Sequence, residues 1–400
     1  MRSCHVCRAK AVVDLLDLGQ QPICNRFLAD LESEEYTHPM LIGQCNACGL
    51  VQISNPVAAN DLLPPYDWIT YNEPEAHLDQ LAEIIAHLPG LTSESAIWGV
   101  SFKDDSLLKR MERFGFRRIY RLDPASDLGI GGRGAGAETI QDHITPERLA
   151  ALTTARGKPH AVIARHIVEH GHNLRNFLDA LLSVVAPQGY VVIEAPDCQV
   201  ALDLHDYTTI WEEHTIYFTP ETFRLIFPYM GLGMVYFQVF PYAFENSLVG
   251  IGQSGQTVAA PLIDQDILQG EKSRISAFAQ GLAEQRRKFK EFFSEYRQHR
   301  GKIALFGAGH LACAFINFLD LKEHILFVAD DNPYKQGLYM PGSRLPIRPS
   351  QVLLEENVKL CLFSLSPEVE DKVIEKNRLF IELGGQFASI FPASKRALRV

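Results

Sequence analysis

Two short cysteine pairs, Cys4-x-x-Cys7 and Cys45-x-x-Cys48, constrain this 400-residue chain more than any other feature. Each pair can place two thiolates on one metal ion, and four thiolates complete the tetrahedral shell that Zn²⁺ prefers. No position stays open for a substrate, so the expected site is structural. It stands in for a core that about sixty residues cannot build alone. His5 and Cys24 are expected to be non-ligands. Residues 1–60, with five of the eight cysteines, read as a loop-rich zinc-binding domain in which VVDLLDLGQQPICNRFL supplies an apolar segment closed by Gly19 and Pro22.

Charge narrows the function classes. With 38 basic and 48 acidic residues the net charge is −10, which argues against a general nucleic-acid binder, whose phosphate contacts call for a basic face. The start, MRSCHVCRAK, has no secretory apolar region, and no run reaches the roughly 18 apolar residues of a membrane span. A cytoplasmic chain with reduced thiols is expected, with no membrane or nucleic-acid partner.

Along the chain the hydrophobic period switches between two and 3.6 residues. Residues from about Glu75 form a helical pattern through Leu78, Leu81, Ile84, Ile85 and Leu88, stopped by Pro89-Gly90. SAIWGV, RRIYRLD, HAVIARHI and GYVVIEAP then read as strands, alternating with amphipathic helices in KDDSLLKRMERFG and NLRNFLDALLSVVAP. This rhythm predicts a mostly parallel, doubly wound α/β sheet, closed by antiparallel strands in MVYFQVF and SLVGIGQ. One long charged helix over residues 265–299 leads to a second βαβ module starting at KIALFGAGHLACAFINFL. The predicted domains are residues 1–60, 61–255 and 256–400, the last comprising the linker helix and a Rossmann-like module.

Several strings, taken in order, carry a resemblance: LDLGQQPICNRF, CNACGLVQ, YDWITYNEPE, RHIVEH, IWEEHTIYFT and DDNPYKQGLYMPGSRLPI. The chain resembles the zinc-containing sugar C-methyltransferases of deoxysugar biosynthesis over nearly its whole length. That resemblance implies a class I methyltransferase-like middle domain that uses S-adenosylmethionine. It also implies a nucleotide-linked 4-keto-6-deoxysugar as substrate, methylated at a carbon beside the ketone. Such chemistry needs a base for the carbon-bound proton and stabilisation of the enolate oxygen. The resemblance makes His214 the base and Glu213 the group that orients or polarises. It assigns His170 as a second active-site histidine and places Tyr66 in an aromatic substrate loop beside Trp68. Trp211 and Tyr217, which flank the Glu-His pair, are expected to wall the sugar.

The cofactor turn departs from the family pattern. In AIWGVSFKDDSLL, Gly99 lies in or just after the strand, Ser101, Phe102 and Lys103 occupy the turn, and Asp105 stands where a glycine is usual. Gly99 and Ser101 are the expected cofactor contacts there. Asp123, ending the next strand, is expected to accept hydrogen bonds from the ribose hydroxyls, although such an aspartate also serves as a helix cap. In the last module, Gly307-Ala308-Gly309 is only a partial dinucleotide fingerprint, and Leu311 stands where the family has a lysine. Asp330 and Asp331 could meet a ribose or make an Asx turn. Lys335 and Arg344 are the phosphate candidates. Two other readings use the same scaffold: a donor-independent epimerase or isomerase relying on His214, and a non-catalytic sugar-nucleotide-binding protein. A monomer or small homo-oligomer is expected.

Overall fold

The N-terminal sixty residues are richer in strand than their composition suggests. β1 (Val12–Pro22) and β2 (Thr37–Cys45) pair antiparallel, with Val12 opposite Cys45 and Pro22 opposite Thr37. Register shifts between Asp14 and Leu16 and between Asp17 and Gln20 break the two-residue alternation, and Gly19 takes φ +75° within the second. That irregularity hides the strand, so the expected loop-rich domain is instead a sheet. β3 (Val51–Ile53) continues it, and β8 (Ile216–Tyr217), from far along the chain, adds a fourth strand, with Val51 opposite Tyr217. The structure is a computed structural model describing residues 2–400 apart from 64, 67–72, 132–134, 257 and 259–262. Trp68 and most of its aromatic loop therefore lie outside the described residues.

The second sheet has the predicted rhythm. β4 (Ala96–Gly99), β5 (Arg118–Arg121), β6 (Ala161–Arg165) and β7 (Tyr190–Asp197) are parallel, and β9 (Gly233–Phe240) and β10 (Asn246–Gln253) close it antiparallel in the order β5-β4-β6-β7-β10-β9. Every residue of β4, β6 and β7 is buried, because helices cover both faces. Leu78–Ala86 and Asp105–Arg113 bury Leu78, Leu81, Ile85, Leu107, Leu108 and Met111 on one face. Leu174–Val184, capped by Asn173, buries Leu174, Phe177, Leu178 and Leu181 on the other. Each such side chain contributes about 1.5–3 kcal/mol when fully buried.

Gln265–His299 is a single helix of 35 residues, about 52 Å long, opened by Asp264 accepting from the Asp266 and Ile267 N–H groups. It leads into an all-parallel third sheet of β11 (Lys302–Phe306), β12 (Val328–Ala329), β13 (Ile347–Arg348), β14 (Val358–Phe363) and β15 (Gln386–Ser389), ordered β13-β12-β11-β14-β15. The helix side chains Ile275, Phe278, Phe289 and Phe293 belong to one continuous core with Leu16 and Ile53 of the first sheet and Leu305 and Phe315 of the third. The three sheets are separate, yet the first and last domains share their packing. Among the described residues, no helix is long and apolar enough to cross a membrane.

Candidate active site and metal centre

The four predicted thiols converge. Cys4 and Cys7 precede β1, Cys45 ends β2, and Cys48 lies in the turn to β3, where Gly49 adopts φ +78° and donates to the Cys45 carbonyl at 2.8 Å. The Cys4–Cys48 and Cys7–Cys45 sulfur separations are both 3.6 Å, and all four sulfurs lie within 4.8 Å of one another. Tetrahedral Zn²⁺ with Zn–S bonds near 2.3 Å needs sulfurs about 3.8 Å apart, so the donor set fits that ion. Cys24 takes no part: its backbone N–H and its thiol donate to Glu212 at 2.6 and 3.1 Å.

A second constellation forms where β6 ends and β8 begins. Val168–His170 makes a short turn after β6, and His214 lies two residues before β8. Pairing of β8 with β3 is what carries His214 to His170, with ring centroids 4.8 Å apart and planes at 89°. Ligand atoms of Glu169, His170 and His214 all lie within 4.8 Å of one another. The environments of the two histidines differ. Burial lowers the His214 pKa well below its ordinary value, helped by the nearby His170, His310 and Lys103, so its imidazole stays neutral. Burial also opposes charge on His170, but Glu138, 2.7 Å from its Nδ1, and Glu169 outweigh it and raise its pKa. Glu213 is pushed well up by burial and by the neighbouring Glu138 and Glu212, and it accepts from Asn25 at 2.7 Å. This environment favours its protonated form, which suits orienting a substrate better than polarising it as a carboxylate.

The aromatic neighbours divide. Trp211 lies 4.9 Å from the His214 ring and stacks on His310 of the third domain at 4.2 Å and 14°. Burial and Lys335 lower the His310 pKa to about 4. Tyr217 does not wall the site. It is fully buried in β8, where its hydroxyl donates to the Trp211 carbonyl and accepts from the Trp211 N–H. Tyr66 donates to the Phe27 carbonyl at 3.2 Å, and the Lys335 ammonium lies 5.6 Å from the Phe27 ring.

The cofactor turn folds on itself. Asp104 accepts from the Val100 and Ser101 N–H groups at 2.7 and 2.8 Å and from the Arg165 N–H at 2.9 Å. Burial pushes its carboxyl up to about 7 against these hydrogen bonds. Two predicted contacts thus have internal jobs. Ser101 is 1% exposed and caps the turn by accepting from the Lys103 N–H. A Cβ at Gly99 would meet Leu108 Cδ1 at 2.8 Å and Asp104 Cβ at 2.9 Å, so that glycine serves packing rather than open space. Phe102 points outward, 47% exposed. Asp123 is exposed at the end of β5. Its Oδ1 caps its own turn by accepting from Ala125 and Ser126, while Oδ2 has no partner among the described residues.

Three family models match successive parts of the chain. The family model of a C-methyltransferase C-terminal domain matches residues 260–392, that of a zinc binding domain residues 4–62, and that of a methyltransferase domain residues 103–236. The C-methyltransferase NovU of Streptomyces niveus is 24% identical over 97% of this chain and 95% of its own length. Over nearly its whole length the chain is thus similar to a zinc-containing C-methyltransferase. Solved structures that align with it include magnesium protoporphyrin IX methyltransferase from Synechocystis with bound SAH, 14% identical over 45% of this chain and 82% of that one, TM-score 0.31. The DszA carbon methyltransferase aligns at 14% identity over 51% of this chain and 62% of that one, TM-score 0.30.

The third domain departs from expectation at Arg344 and Asp330. Arg344, expected at a phosphate, donates to the Leu31 and Ser33 carbonyls and lies 3.7 Å from Glu35, so it clasps the zinc domain instead. Asp330 makes the Asx turn, accepting from the Asn332 N–H at 2.9 Å, while its other oxygen takes Ala308 N–H at 2.9 Å and Lys335 at 3.1 Å. Sequence reasoning missed Asn25, Glu138, Glu169 and His310. Asn25 and Glu169 lie inside the motifs PICNRF and RHIVEH and were readable there; Glu138 and His310 reach the site only through tertiary packing.

Proposed function

We propose that the protein methylates a carbon beside the ketone of a nucleotide-linked 4-keto-deoxysugar, using S-adenosylmethionine, through an enolate. One arrangement carries this reading: the His214 and His170 rings lie 4.8 Å apart, burial lowering the pKa of the first and the Glu138 carboxylate, 2.7 Å away, raising that of the second. Two groups of one type with pKa values driven apart are the parts of an acid–base pair. A nitrogen of His214 takes the carbon-bound proton. The His170 N–H donates to the oxygen on which enolate charge develops. Glu213, held protonated and fixed by Asn25, orients the substrate carbonyl by hydrogen bonding. Glu169 Oε2 is buried with no hydrogen-bond partner among the described residues, and a sugar hydroxyl would satisfy it. The stacked Trp211 and His310 supply an apolar wall, and Lys335 offers a cation toward the phosphates.

The residues present suit the methyl donor at one end, where the unpartnered Oδ2 of Asp123 projects at the carboxyl edge of β5. When bound, the donor supplies an electrophilic methyl group. A donor-independent isomerisation through the same enolate is the second reading, favoured by the closure of the turn on Asp104. Reduced thiolates at the zinc centre suit the cytoplasm as the proposed place of action.

The test is deuterium exchange into a nucleotide-linked 4-keto-6-deoxysugar in heavy water. Wild type should label the carbon beside the ketone. His214→Ala should lose about 10²–10⁴-fold of that rate with its zinc and fold retained. Unchanged exchange in the variant would remove His214 from the chemistry.

A further inference from the structure

The bulky, charged turn that departs from the family pattern has a specific geometry. Lys103 is the second residue of Phe102–Asp104, and its backbone is fixed from two sides: its N–H donates to Ser101 Oγ at 3.2 Å, and its carbonyl accepts from Arg165 at 2.7 Å. That bond ties the turn to Arg165 at the end of β6, while Asp105, just after the turn, pairs with Arg121 at the end of β5 at 3.0 Å. The Lys103 ammonium is 10% exposed and pairs with Glu73.

The surrounding charges are already committed. Arg165 is held by Glu194 at 2.5 Å, and His166 lies between Glu194 at 3.0 Å and Glu169 at 3.5 Å. Those two carboxylates are 0% and 1% exposed, whereas Glu73 is 27% exposed. Glu73, which also lies 3.6 Å from His166 Nδ1, thus makes with Lys103 the most accessible salt link in the group. A cation and an anion in contact are the complement of a zwitterion. If the pair opens, an α-carboxylate can meet Lys103 and an α-ammonium can meet Glu73, with each charge remaining compensated.

Position adds a second constraint. Asp123 ends β5, and Arg165 ends β6; β4 lies between them. Neighbouring strands are about 4.8 Å apart, so these two ends are separated by about 10 Å. A ligand whose ribose meets Asp123 and whose flexible chain crosses the end of β4 delivers its amino-acid end to Lys103.

We propose that Lys103 and Glu73 form the subsite for the amino-acid end of S-adenosylmethionine, Lys103 taking the carboxylate and Glu73 the ammonium. This assignment rests on the cofactor reading above. It gives the altered turn a binding role by side chains in place of one by backbone amides.

Calorimetry on the zinc-loaded full chain tests it, with S-adenosylhomocysteine and with 5′-methylthioadenosine, which lacks the amino-acid end. Lys103→Met and Glu73→Gln should each weaken S-adenosylhomocysteine by about 10- to 100-fold and leave methylthioadenosine within about twofold. Lys103→Arg, which keeps the cation, should hold most of the affinity and guards against a folding artefact in the methionine variant. Wild-type affinity for S-adenosylhomocysteine in both Lys103→Met and Glu73→Gln would overturn the subsite while leaving the cofactor reading standing. Wild-type protein that binds neither nucleoside would overturn the cofactor reading, and the subsite with it.

Discussion

The zinc centre and the cofactor turn are both short loops at strand ends, yet their backbones are used differently. At the zinc centre four side chains do the binding, and the backbone only aims them: Gly49 tightens the knuckle so that Cys45 and Cys48 face Cys4 and Cys7. At the cofactor turn the backbone amides of Val100 and Ser101 are spent on Asp104, and the proposed ligand contacts are side chains, Lys103, Glu73 and Asp123. A single ion that needs all four thiolates is lost with any one of them. A site held by several partial contacts loses affinity in steps. The zinc centre should therefore break abruptly and the cofactor edge gradually.

The largest expected effect is at the metal. Cys45→Ser should remove zinc, whose binding to small structural sites is worth about 10–16 kcal/mol, and unfold the first sheet. Because β3 pairs with β8, the loss should reach the loop carrying His214, so exchange activity should fall along with the metal content. Metal analysis with a thermal melt checks this. A zinc-free variant with wild-type melting would contradict a structural ion.

An intermediate effect is expected at Glu138. The raised pKa of His170 means that its charge is complete at low pH and is lost as pH rises through that raised value. The lowered pKa of His214 means that its neutral form is lost only in acid, below the ordinary histidine range. Exchange should thus fall in acid as His214 gains a proton and in alkali as His170 loses one. Glu138→Gln removes the carboxylate that sustains the His170 charge and should move the alkaline limb to lower pH, leaving the acid limb nearly in place. A pH–rate profile with an unmoved alkaline limb would detach Glu138 from the chemistry.

The smallest effect belongs to Asp123. It is fully exposed and half engaged in its own turn, so Asp123→Ala should weaken S-adenosylhomocysteine by roughly tenfold without changing stability. A loss as complete as that of the zinc variants would erase the contrast between the two sites.

This contrast also explains what was legible in the sequence. Strand–helix alternation from Ala96 to Gln253 follows from periods of two and 3.6, and the observed sheet has those elements. The four zinc ligands follow from spacing. β1 was obscured by its bulges, which shift the alternation at Leu16 and Gln20. Tyr217 and Arg344 looked like ligand contacts because residue type and motif position do not reveal direction. One faces the core under Trp211, and the other faces Leu31 and Ser33. The addition of β8 to the zinc sheet, which brings His214 to His170, joins residues some 160 positions apart in sequence and has no local signal.

The most direct test of the account is methyl transfer itself. Zinc-loaded protein is incubated with a nucleotide-linked 4-keto-6-deoxysugar and S-adenosylmethionine carrying a carbon-13 methyl group, and the product is read by NMR. A labelled methyl bonded to the carbon beside the ketone, absent in His214→Ala, is the expected result. A label on oxygen or nitrogen, or no transfer by protein that still exchanges the carbon-bound proton, would contradict it.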